Sequence, residues 1–143
     1  MKIILGMAGS GKSRKIIELV AKDVEESKKV KIFSNDVFGE EYIMKMKEYG
    51  IWDPNLINVK YFNRGTLYLL NAIIKGFEQE EFDSVYVDTL SLTKNISDLN
   101  LLHMIEKYTG ISICISTQVG KLNPFVSAEK PLVVLDWEEY TRF

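Results

Sequence analysis

Gly6-Met7-Ala8-Gly9-Ser10-Gly11-Lys12-Ser13 is the stretch on which the fold turns. It fits G-x-x-x-x-G-K-[ST] without a gap, the spacing of a loop that wraps a phosphate. The glycines let the backbone approach a phosphate in conformations that other residues resist. The amides of Gly9 to Ser13 then face inward, and the start of the following helix adds positive potential. Lys12 is placed to reach the β- and γ-phosphates of a nucleotide, and the Ser13 hydroxyl to bind Mg²⁺. Gly6, Ala8, Gly9, Ser10, Gly11, Lys12, Ser13 and the adjoining Arg14 are therefore the candidate nucleotide contacts. The alternative is a chance glycine-rich turn. Against it stands the context, an apolar strand over residues 2–5 leading in and an amphipathic helix leading out.

Working outward, strands and helices alternate to the end of the chain. The spacing of Ile16, Ile17, Val20, Ala21 and Val24 predicts a helix over 11–28. Strands are expected at 30–34, 57–62, 85–88, 111–116 and 131–136, and helices at 40–48, 66–77 and 99–108. Residues 119–130 read as a loop and the last seven residues as a polar and aromatic tail. Such alternation predicts an α/β fold, a three-layer sandwich around a mainly parallel sheet. The uniformly apolar strands, such as Leu132-Val133-Val134-Leu135, suit a sheet buried on both faces.

Composition sets the outer bounds. At 143 residues, 46% hydrophobic and 27% charged, one globular domain spanning 1–143 is expected, with 136–143 as its tail. A single Cys excludes a disulfide framework. No apolar run approaches the roughly 18–20 residues of a membrane span, and the start lacks the pattern of a signal peptide. A cytoplasmic protein that meets no membrane is the expectation. The net charge of −2 gives no global basic footprint for nucleic acid, though a local groove stays open.

A phosphate loop does not choose the reaction, since kinases, GTPases and ATP-driven motors share it. The other carboxyl ends of the strands narrow the choice, because ligands of open α/β sheets bind there. Asp88 ends Ser84-Val85-Tyr86-Val87-Asp88 and is the candidate second holder of Mg²⁺; otherwise it caps a turn. Thr89 follows it, so no carboxylate stands directly beside it to act as a base. Asp36, just past the second strand, is the candidate general base for an attacking water, or else part of an Asx turn with Asn35. Glu40 and Glu41 are fallback bases, or they simply charge the first turn of the next helix. Gln118 ends another strand, where its amide can donate to a γ-phosphate and accept from water.

Taken in order, these segments resemble the RecA-like ATPases, and most closely the ATPase core of replicative helicases of the DnaB type. Gly6–Ser13 matches their Walker A motif. Phe33-Ser34-Asn35-Asp36-Val37, followed by Glu40-Glu41-Tyr42, resembles the helicase segment that carries the catalytic glutamate, with Asp36 in its place. Val87-Asp88-Thr89-Leu90 resembles the Walker B end, and Ile115-Ser116-Thr117-Gln118 the strand that ends in the sensor glutamine. The resemblance covers roughly residues 1–121. It implies MgATP as ligand, hydrolysis with Lys12, Asp36, Asp88 and Gln118 in the catalytic set, and Ser13 with Asp88 on the metal. It also implies a homo-oligomer, or a protein partner supplying an arginine finger. It predicts a parallel sheet in which strands 111–116 and 131–136 flank the first strand, and the Asp88 strand lies one further out beside 30–34.

Two features depart from that family. The acid is one methylene shorter. The chain has three arginines, Arg14, Arg64 and Arg142, none an assured finger. A small nucleotide or nucleoside kinase remains the runner-up, though such enzymes usually clamp phosphates with several arginines. A nucleotide-binding interaction module with little turnover is the third possibility. The loop 119–130, with Lys121, Phe125 and Lys130, is the candidate contact for single-stranded DNA, or a plain surface loop. His103 reads as a satisfied, partly buried histidine and Cys114 as an inert core thiol. Trp137 and Tyr140 are left between covering the sheet end and stacking on a base.

Overall fold

The computed structural model describes residues 1–34, 39–62, 65–88, 96–118 and 124–142. The strands are β1 (Lys2–Gly6), β2 (Val30–Ser34), β3 (Ile57–Tyr61), β4 (Ser84–Asp88), β5 (Ser112–Gln118) and β6 (Leu132–Asp136). The helices are α1 (Lys12–Glu25), α2 (Gly39–Glu48), α3 (Thr66–Glu78), α4 (Ile96–Thr109) and α5 (Trp137–Thr141). α1 stops at Glu25, short of the expected end, because Ser27 takes a left-handed φ of 59° and turns the chain toward β2.

The sheet order is β3-β2-β4-β5-β1-β6. It is the order expected: β5 and β6 flank β1, and β4 lies between β5 and β2. The sheet is mainly parallel, as expected, and the strand that departs is β6, which runs antiparallel to β1. A parallel return is usually made through a helix, and the sequence of residues 119–131, which join β5 to β6, carries no helical spacing of apolar residues. Gln118 and Leu132 both pair with Gly6, so the connection starts and finishes at the same sheet edge, beside the phosphate loop.

Alternation along the buried strands divides the core in two. Ile4, Ile16, Ile17, Val20, Ile32, Tyr42, Met46 and Cys114 pack on the face covered by α1 and α2. Leu5, Phe33, Leu69, Ile73, Val87, Leu99, Leu102 and Ile115 pack on the face covered by α3 and α4. Each fully buried aliphatic or aromatic side chain stabilises by about 1.5–3 kcal/mol, so these two layers, rather than surface ion pairs, hold the sheet. Burial pushes the Cys114 thiol up to about 12, which leaves it protonated and unreactive at neutral pH.

Gly76 shows how tightly the second face is packed. A Cβ there would come 2.1 Å from the ring of the buried Phe82. Helix propensity alone would make Gly76→Ala stabilising by about 1 kcal/mol. Overpacking costs about 1–3 kcal/mol, so the variant is expected to lose stability in urea unfolding. A more stable variant would show that the contact is not a constraint.

The expected C-terminal tail is also corrected. Residues 137–141 form α5, started by Asp136 and Glu139 in a capping box, with Glu139 reaching back to accept from the Asp136 amide at 3.4 Å. The helix seats Trp137 against His103, their rings stacked 5.1 Å apart, and Trp137 therefore covers the sheet end. His103 is buried as expected, but its Nδ1 has no hydrogen-bond partner among the described residues. Burial, with help from the nearby N-terminal ammonium and Lys107, holds its pKa below the ordinary histidine value.

Candidate functional site

The glycine-rich segment Gly6–Ser13 leads from the end of β1 into the start of α1, the strand-to-helix context expected of it. Gly9 and Gly11 have φ of 76° and 93°, a region that side chains resist, and Gly11 stands at the helix N-cap with no side chain capping the amides. Ser10 N–H donates to Met7 O at 3.1 Å. No backbone carbonyl among the described residues receives the amides of Gly9, Gly11, Lys12 or Ser13 outside the helix's own bonds. A Cβ at Gly6 would sit 2.3 Å from Ser10 Oγ, so a side chain there would force Ser10 to move. Ala8 and Arg14 are exposed, and the described residues give Arg14 no ion pair.

Lys12 is only 8% exposed. Its Nζ donates to the carbonyls of Gly6 at 3.2 Å and Met7 at 2.8 Å, so the ammonium curls back over the loop. Burial lowers its pKa, and the nearby Asp88 charge opposes that shift. A buried ammonium with neutral carbonyl partners is matched to a phosphate, which offers charge as well as acceptors.

Asp88, at the end of β4, is buried and, among the described residues, draws together three hydroxyls. Ser13 Oγ donates to its Oδ2 at 2.7 Å, and Ser116 Oγ to its Oδ1 at 2.8 Å. The Tyr42 hydroxyl of α2 also donates to Oδ2. A small cavity of about 40 Å³ opens beside these groups, lined by Ser13, Ile17, Glu41, Tyr42, Lys45 and Asp88. Among the described residues no three acidic, His or Cys side chains cluster as a metal cage. One carboxylate and one hydroxyl beside a phosphate loop nevertheless fit Mg²⁺, which keeps several waters and takes further oxygens from the nucleotide's phosphates.

The other candidates divide. Gln118 is exposed and pairs in register with Gly6, so it stands next to the first residue of the loop. Asp36 lies outside the described residues, as do Arg64 and Lys121. Ser34, two residues before Asp36 in the sequence, is the register partner of Asp88 on the adjacent strand. Glu41, named as a fallback base, lines the cavity beside Asp88. Phe125 is half-buried, packs against the α3–α4 core and stacks on Tyr140 at 6.5 Å, which engages the ring offered to a base. Arg142 is exposed at the end of α5.

Tyr42 and Ser116 had no role assigned from the sequence. Ser116 carried a weak signal, a hydroxyl inside an otherwise apolar strand. Tyr42 carried none, since its spacing with Met46 reads simply as a core-facing pair.

No protein-family model matches the chain, and no curated protein matches it. Among solved structures it is similar to the flagellar accessory protein FlaH from Methanocaldococcus jannaschii, with a TM-score of 0.56 and 19% identity. The match covers 87% of this chain and 63% of that one. Among the described residues no helix is long and apolar enough to cross a membrane. At that identity the likeness is one of fold alone: a six-stranded, mostly parallel sheet with helices on both faces.

Proposed function

We propose that this chain is a RecA-like ATPase that takes MgATP on the loop between β1 and α1. The observation that carries this is the 2.7 Å bond from Ser13 Oγ to Asp88 Oδ2, which joins the hydroxyl of the loop motif to a buried carboxylate 75 residues away. In this reading the amides of Gly9 to Ser13 and the Lys12 ammonium hold the β- and γ-phosphates. Ser13 and Asp88 hold Mg²⁺, which, when bound, neutralises charge on the transferring phosphoryl group. Asp36 accepts a proton from the attacking water, and Gln118 reports whether the γ-phosphate is present. Glu41 is the reserve base, with its place beside Asp88 in its favour.

A small kinase is disfavoured by the strand order, because β5 separates the Asp88 strand from β1. The three arginines weigh against it too. The finer assignment, a core of the DnaB helicase type that forms an oligomer and acts on DNA, rests on the order of the motifs from Phe33 to Gln118. Phosphate release from ATP by the purified protein tests the proposal, measured with and without Mg²⁺, with single-stranded DNA and with nucleosides. Mg²⁺-dependent release of phosphate is expected. Transfer to a nucleoside would favour the kinase, and tight binding without turnover the interaction module. Sedimentation with and without ATP tests the oligomer.

A further inference from the structure

The apolar burial of Tyr42 is a task its ring alone performs. The ring lies in the core beneath α2 with Met46, 4% exposed, and a bare ring would fill the same space. Among the described residues the hydroxyl donates to Asp88 Oδ2, the oxygen that also accepts from Ser13. Ser116 holds the other oxygen from β5. The carboxylate is thus gripped from α1, α2 and β5, and its plane is set by donors on three separate elements.

Removing a partner that orients a metal ligand typically costs about 10–100-fold in metal affinity. We propose that Tyr42 is a positioning residue for the metal, its hydroxyl fixing the Asp88 carboxylate in the orientation that meets Mg²⁺ at Ser13 and docking α2 onto the centre. The inference rests on the MgATP reading above. It adds a residue of α2 to a centre otherwise built from α1, β4 and β5.

The test is Tyr42→Phe, with a fluorescent N-methylanthraniloyl ADP titrated in EDTA and across a Mg²⁺ series. Affinity in EDTA is expected to stay within about twofold of the unaltered protein, because the phosphate loop is untouched. The Mg²⁺ concentration giving half of the metal-dependent tightening is expected to rise about 10-fold or more. A purely structural tyrosine would leave that concentration unchanged, and this result overturns the proposal. Equal weakening in EDTA and in Mg²⁺ also overturns it, since the damage would then lie in the loop. Should the variant fail to melt cooperatively, 3-fluorotyrosine at position 42 keeps the ring and makes the hydroxyl a stronger donor. A shifted Mg²⁺ midpoint then supports the proposal and an unshifted one overturns it. If the unaltered protein shows no Mg²⁺-dependent tightening, the MgATP reading itself fails. If it does and Tyr42→Phe matches it, the positioning role alone fails.

Discussion

Lys12→Ala is expected to lower MgATP affinity by about 100-fold or more while the domain stays folded. The ammonium is held over the loop by two carbonyls, Gly6 O and Met7 O, and no carboxylate forms an ion pair with it among the described residues. A phosphate would replace neutral acceptors with charged ones. Each charge-assisted hydrogen bond is worth about 1.5–3 kcal/mol, and about 1.4 kcal/mol is tenfold in affinity, so two such bonds account for the loss. Stability should move little. The side chain belongs to neither apolar cluster, and removing a buried ammonium relieves the desolvation that already depresses its pKa. Calorimetric titration gives the affinity, and a thermal melt gives the fold. A folded variant that binds MgATP as well as the unaltered protein would sink the assignment of this loop to a nucleotide.

What could be read from the sequence was local, and what could not was remote. The strand, loop and helix around Gly6–Ser13 follow from residues within one turn of each other: glycines where φ is positive, and apolar spacing that resumes directly after. The strand order came through the family likeness, because alternation alone does not say which strand sits beside which. The direction of β6 depended on what lies between two strands, and only the lack of a helical pattern in 119–131 hinted that no crossover occurs. α5 was hidden because Asp136 and Glu139 look like tail charges until they cap a helix. The grip on Asp88 was out of reach for a different reason. Its donors among the described residues stand 75, 46 and 28 residues away, and no spacing rule connects them.

Asp36→Asn is expected to leave ATP binding nearly intact and to cut hydrolysis by about 10²-fold or more, the usual contribution of a general base. Amide and carboxylate match in size, so the change removes proton acceptance without removing bulk. Asp36→Glu restores the reach of the acid in the resembled family and should hold the rate at or above that of the unaltered protein. Glu41→Gln separates the two carboxylates: a loss there, with Asp36→Asn unaffected, moves the base to the cavity beside Asp88. The unaltered chain by itself should turn over slowly. An arginine supplied by a neighbour is worth about 10³–10⁵ in rate, and Arg14 and Arg142 are both exposed rather than directed at the loop by any ion pair among the described residues. Activity should therefore climb with protein concentration or with a partner. Single-turnover phosphate release across a concentration series, run beside the Asp36 variants, measures both effects. Fast turnover by a strict monomer, indifferent to Asp36, would remove the base assignment and the RecA-like mechanism together.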